Sequence, residues 1–395
     1  MSTVFDALEL TDWSRLLHAY GRATETPAHL RALLELEPRG RHAAMNHLWS
    51  AILHQGTPWP ATEVVARVAV GLLDDPRLDQ GAAPVRAALL GFLAGVLQVC
   101  DRAHDTEATL EHQARFDLTP FIEAGDDDAL YDDEEASDAL HAQSMLGCLR
   151  VRPIILAAVR DGLDSPDAAR RVRAAMAFAA FAQSVPEPPR KDLTTRVWTL
   201  ARTTRDVDER ASLVLALGDL GELPVEFSED PSPGVRLCAA LALVPAQTPD
   251  DPSTRWLIEL LERQSRDVDG WFGHKPPQLA GPVRFVVLER LSKHLREFEP
   301  LAGAAEALAR ASRREDADEE WGPLLAFALR GAEGRALTVA QQRLLAALVE
   351  NERVWVPGDA KPHPWFNQVG LPFNREACAQ ALAQGRIPRR PTRDG

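Results

Sequence analysis

Asp230-Pro231-Ser232-Pro233-Gly234-Val235-Arg236-Leu237-Cys238-Ala239-Ala240-Leu241-Ala242-Leu243 reads as a turn followed by a helix. Asp or Ser ahead of the apolar run caps free amides, and proline fits the first helical turn, where its missing N–H costs nothing. From Val235 onward the side chains are small or aliphatic, so neighbouring helices can approach closely. Asp164-Ser165-Pro166-Asp167 stands in the same relation to Ala168–Gln183. Elsewhere Ala and Leu recur at three- and four-residue steps, in segments of roughly 12 to 18 residues broken by Pro, Gly and Asp. Alternating runs bounded by Asn-Gly or Asp-Gly turns do not occur. The chain is expected to be all-α.

The segment also repeats. Val172-Arg173-Ala174-Ala175-Met176-Ala177-Phe178, Val85-Arg86-Ala87-Ala88-Leu89-Leu90-Gly91-Phe92 and Val283-Arg284-Phe285-Val286-Val287-Leu288 share its Val-Arg pair, with weaker copies around Arg41 and Arg210. Several spacings between these arginines are one or two helix-pair periods. The Asp/Pro turn, the Val-Arg pair and the small-residue helix together resemble the bacterial HEAT-repeat family (HEAT-like, PBS-lyase-type repeats), from about residue 37 to residue 300. That resemblance implies an α-solenoid, a superhelix of HEAT-like antiparallel helix pairs, because one pair alone cannot bury its apolar face and pairs must stack. It further implies that Arg86, Arg173, Arg236 and Arg284 form a structural ladder with the aspartates of the preceding turns. The expected organisation is capping helices at 1–60, repeats at 61–300 with an acidic insertion at 117–135, C-terminal helices and a cap at 301–385, and a flexible tail at 386–395.

Composition narrows the function. Among 395 residues, 44 Lys plus Arg face 58 Asp plus Glu, a formal charge of -14, and the hydrophobic share is 45%. Such a chain is neither disordered nor a disulfide scaffold, and wholesale coating of nucleic acid is argued against, since phosphate binding needs basic excess. The charge is uneven. Eight carboxylates and no base lie between Glu123 and Glu135, including Asp126, Asp127 and Asp128, whereas the segment from Arg386 is basic. This acidic run reads as an exposed loop able to steer a basic partner, and it lacks the EF-hand pattern. Cys100, Cys148, Cys238 and Cys378 are far apart, no secretory start precedes Asp6, and no apolar stretch of bilayer length stands out. A cytoplasmic location without membrane attachment is expected.

Candidate binding residues are aromatic. Trp13, His18, Tyr20, Trp49, His54 and Trp59 either line a groove or shield the open end of a repeat stack. Trp271 and His274 lie in the irregular stretch Gly270–Pro277, and Trp355 and Trp365 in another near the C-terminus. Cys100, His104, Glu107 and Glu111 share one helical stripe, but their span of about 16 Å is too long for one ion, so no metal ligand is assigned. None of the common short catalytic motifs occurs, and no cofactor is implied. The expected function is a non-catalytic scaffold that binds another protein through a concave face and its loops. The alternatives are a HEAT-like DNA glycosylase, which needs a basic groove, and an accessory or immunity protein of a biosynthetic or toxin locus.

Overall fold

The computed structural model describes residues 8–80, 85–104, 106–125, 127–246, 248–263, 267–279, 281–355 and 364–388. They are overwhelmingly helical, and the only strands among them are two two-residue antiparallel hairpins. The chain divides into two compact units at Thr203/Thr204.

The first unit is organised on the long helix Glu134–Leu163. Asp133 caps it through Ala136 N–H, and Glu134 and Glu135 sit in its first turn, where carboxylates favour a helix N-terminus. Helices Pro60–Leu72, Arg86–His104, Glu107–Gln113 and Ala168–Phe181 pack on it. By length and composition this is one helix that can cross a bilayer, yet its buried residues run from Ala136 to Leu163 within the unit's core. Gly162 faces Ala174 so closely that a Cβ there would lie 2.6 Å from the alanine Cβ. Pro189–Thr203 closes the unit.

The structure departs from four of the expectations drawn from the sequence. The acidic run is not a loop: Thr119–Ala124, Asp127–Asp132 and the start of Glu134–Leu163 are helical. Leu130 anchors it in a core with Leu17, Leu118, Ala136, Ala139 and Leu140, so one buried leucine outweighs the surrounding charge. Residues 1–60 are not helices alone, because Leu17–His18 pairs with Gly21–Arg22 and Leu53–His54 with Thr57–Pro58. The stripe from Cys100 to Glu111 is not one helix, since one helix ends at His104 and the next begins at Glu107. Finally, the tail is not loose from Arg386: Ile387 is fully buried and its carbonyl accepts Gly334 N–H at 2.9 Å. Residues 389–395 lie outside the described residues.

In the second unit, Ser232 caps Pro233–Leu243 through Val235 N–H, and Asp206 caps Val207–Asp219 through Asp208 and Glu209 N–H. These two helices pack against each other at Gly218, whose added Cβ would lie 2.4 Å from Ala242 Cβ. Pro233–Leu243 is buried from Leu237 through Leu243 without a break, as a helix surrounded by others must be. Packing continues from it to Pro252–Arg263, then Ala302–Ala311, Val339–Glu350 and Arg375–Gln384.

Candidate functional site

Among the described residues, a group of side chains able to hold an ion gathers beneath the first hairpin of the first unit. In the second hairpin Gln55 and Gly56 both have positive φ, 50° and 78°, as a tight two-residue turn with matching twist requires. The first hairpin is tied to the π-helical turn that leads into the second by Ala19 N–H donating to Ala51 carbonyl at 3.0 Å. Tyr20, at the first tip, is 68% exposed and meets the His54 ring edge-on, with centroids 5.6 Å apart. His54 Nδ1 lies 2.7 Å from Ser50 carbonyl, which fixes the ring against its own π-helical turn, Leu48–Ile52.

Beneath the tips three elements bring their polar groups together. His18, on the first strand, is 2% exposed. Its Nε2 stands 2.5 Å from Glu25 Oε1, and its Nδ1 accepts Tyr20 N–H at 3.1 Å. With Nδ1 accepting, the neutral ring carries its proton on Nε2 and donates it to Glu25. His47, the last residue of Pro38–His47, is 8% exposed and stands 2.9 Å from Thr26 Oγ1 through Nε2. It stacks on His29 at 4.3 Å and meets His18 edge-on at 5.3 Å. Burial first, then the neighbouring His29 and His18, hold His47 down at about 4. Burial pushes Glu25 up, but the His18 hydrogen bond and the backbone outweigh it and hold the carboxyl below its usual range. Donor atoms of His18, Glu25 and His47 all lie within 4.8 Å of one another. Two imidazoles and a carboxylate are a donor set that zinc accepts.

The remaining aromatic candidates divide by burial. Trp49 is 43% exposed, packs edge-on to Phe92 and lies over Gly91 and Gly95, where a Cβ would meet its ring. Trp13 is buried, its indole N–H donating to Leu8 carbonyl at 2.9 Å, which makes it a core residue. Trp59 is half-buried against Tyr131, and its indole N–H is enclosed without a hydrogen-bond partner. Asp126 lies outside the described residues, and Asp127 and Asp128 open the short helix Asp127–Asp132.

In the second unit, Trp271 stacks on Trp256, and Phe272 fills the space over Gly234. Asp208 accepts N–H bonds from Gly273 and His274, strapping this stretch to the helix Val207–Asp219, while the His274 side chain stands 98% exposed. Trp355 is stacked on Phe373 and donates to Leu348 carbonyl at 2.8 Å. Trp365 donates to Asp318 at 2.8 Å and covers Gly322. Both indoles are thus packing groups of the C-terminal segment.

Arginines at several helix starts, the expected ladder residue Arg236 among them, make a more local contact. Arg41 donates to Glu35 carbonyl, Arg171 to Ser165, Arg210 to Thr204 and Arg236 to Asp230, in each case six residues back into the turn before its own helix. Arg86 reaches Leu73 and Asp75 carbonyls and Asp79. Arg173 does not join them: its Nε is enclosed without a partner, and Arg171, two residues earlier, makes the turn contact. Arg284 points forward to Glu320 and Asp316 instead. Turn-to-turn pairing occurs where Arg210 also binds Asp230 at 2.9 Å.

Sequence reasoning named His18 and His54 but missed Glu25, Thr26, His29 and His47. Glu25, Thr26 and His29 belong to the start of one helix and His47 to the end of the next, and no fixed spacing marks their convergence with His18. Compared with protein-family models, with curated proteins and with solved structures, the chain matches none.

Proposed function

We propose that the protein is a non-catalytic helical-repeat scaffold of HEAT-like type, an α-solenoid of helix pairs that binds another protein. The observation that supports this most is the recurring unit of capped turn, small-residue helix and arginine bonded six residues back, present in both units. A unit that satisfies its own turn and leaves its helix face for the next is the building block of stacked repeats. Tyr20 and Trp49 offer exposed aromatic contacts of the kind that anchor interfaces. Eight carboxylates between Glu123 and Glu135 favour a partner of basic character. All four cysteines are free and buried, which suits a reducing compartment such as the cytoplasm.

The test is affinity capture with quantitative mass spectrometry, comparing the full chain with Tyr20→Ala/Trp49→Ala. A specific, salt-sensitive partner that the double variant loses by tenfold or more (about 1.4 kcal/mol or more), with an unchanged melting temperature, supports the reading. Equal capture by both proteins, or salt-sensitive retardation of DNA with base release, overturns it.

A further inference from the structure

We propose that His18, Glu25 and His47 form a divalent zinc site that ties the first hairpin to the two helices behind it. The three donors come from a strand, from the residue preceding the helix Thr26–Ala32 and from the end of Pro38–His47, so one ion would cross-link three elements. Ligand bonds of about 2.0–2.2 Å put neighbouring donors about 3.3 Å apart in a tetrahedron. Donors already within 4.8 Å of one another reach that geometry by small side-chain movements, the His18–Glu25 contact of 2.5 Å opening as the ion enters. The His47 ring is pre-oriented by its stack on His29 and its bond to Thr26. Glu25 is half exposed, at 49% of its side chain, and gives the ion an entry side and room for a solvent ligand.

The hydrogen bond at His18 Nδ1 makes binding mechanically consequential. Before binding, the ring's proton is on Nε2; a neutral ring ligating through Nε2 must carry it on Nδ1 instead. The proton relocates through solvent with no net release from His18. Nδ1–H then opposes the Tyr20 N–H that it previously accepted, so the tip of the hairpin must shift. Zinc is therefore coupled to the position of exposed Tyr20, one of only two tyrosines in the chain.

The experiment uses the full chain, stripped with chelator and titrated with zinc chloride by calorimetry, with the melting temperature and the tyrosine NMR signals followed in parallel. The expected result is one zinc per chain, a raised melting temperature, and a shifted Tyr20 signal beside an unmoved Tyr131 signal. Glu25→Gln makes no cap to lose, since Glu25 accepts no side-chain cap bond. It keeps an oxygen to accept the His18 Nε2 proton but loses the charge on that bond, so its metal-free form should melt at or slightly below the parent's, and it should bind zinc at least about tenfold more weakly, whereas His54→Ala should bind as the parent does. No binding, or undiminished binding by Glu25→Gln, overturns the proposal. Binding that leaves Tyr20 unmoved overturns the coupling while leaving the site.

Discussion

Gly218→Ala tests whether close helix approach holds the second unit together. The added Cβ would stand 2.4 Å from Ala242 Cβ and 2.7 Å from Ala242 Cα, against roughly 3.5–4.0 Å for an ordinary carbon contact. No side-chain rotation relieves this, because the opposing atoms are the backbone and Cβ of a helix buried along its length. Two effects compete. Alanine is favoured over glycine in a helix by about 1 kcal/mol, while overpacking a tight core costs about 1–3 kcal/mol. With backbone as the obstacle the upper part of that range applies, and a net loss of about 1–2 kcal/mol is expected. Urea unfolding of the full chain, followed by far-UV circular dichroism, should show a lower midpoint for the transition of this unit. Ala242→Gly introduced on top removes the Cβ contact but leaves the one with the Cα at 2.7 Å, so it should relieve part of the clash, giving a favourable coupling energy of up to about 1 kcal/mol in a double-mutant cycle. If Gly218→Ala instead raises stability, as helix propensity alone demands, the packing described here is wrong.

Other perturbations probe the first unit and the thiols. Arg86→Met removes the guanidinium donor from the Leu73 and Asp75 carbonyls and from Asp79, so urea unfolding should register a loss of about 2–5 kcal/mol. Arg173→Met should cost much less, since its Nε makes no hydrogen bond; equal costs would show that Arg173 shares the role of Arg86. Burial pushes Glu63 up, but its hydrogen bonds with Arg150 and Arg67 outweigh this and hold it below its ordinary 4.5. Its stabilising contribution is therefore full above that value and is lost as pH falls through the lowered one. Melting temperatures of Glu63→Gln should accordingly change less on acidification than those of the parent. Burial pushes Cys100 up to about 11 and Cys378 up to about 12, with Cys148 and Cys238 raised further. A thiol reagent at about pH 8 should label none of the four until denaturant is added.

The helices were legible because their signals are local. Ser232, Asp167 and Asp206 cap helices from positions next to the apolar runs they start. The Val-Arg pairs were visible for the same reason, although the pattern pointed to Arg173 where Arg171 makes the turn contact. The acidic run misled because eight carboxylates dominate any local reading, whereas its structure depends on Leu130 meeting Leu17 and Leu118 across the fold. The histidine cluster was illegible for a related reason. His18 and His47 are 29 residues apart, and nothing in the intervening hairpin and helices announces that they meet.

An arginine that binds a carbonyl six residues before it travels with its helix when a stretch of the gene is copied. A duplicated segment inserted between two helices would arrive with its turn already satisfied, requiring only a compatible face on either side. Arg284 differs, because its carboxylate partner Glu320 lies 36 residues away, and copying either segment alone would strand a buried charge. Growth by internal duplication is thus open around Arg171, open around Arg210 and Arg236 only when Asp230, the second partner of Arg210, is copied with both, and closed between Arg284 and Glu320. The wiring of each helix start decides where a chain of such helices can lengthen.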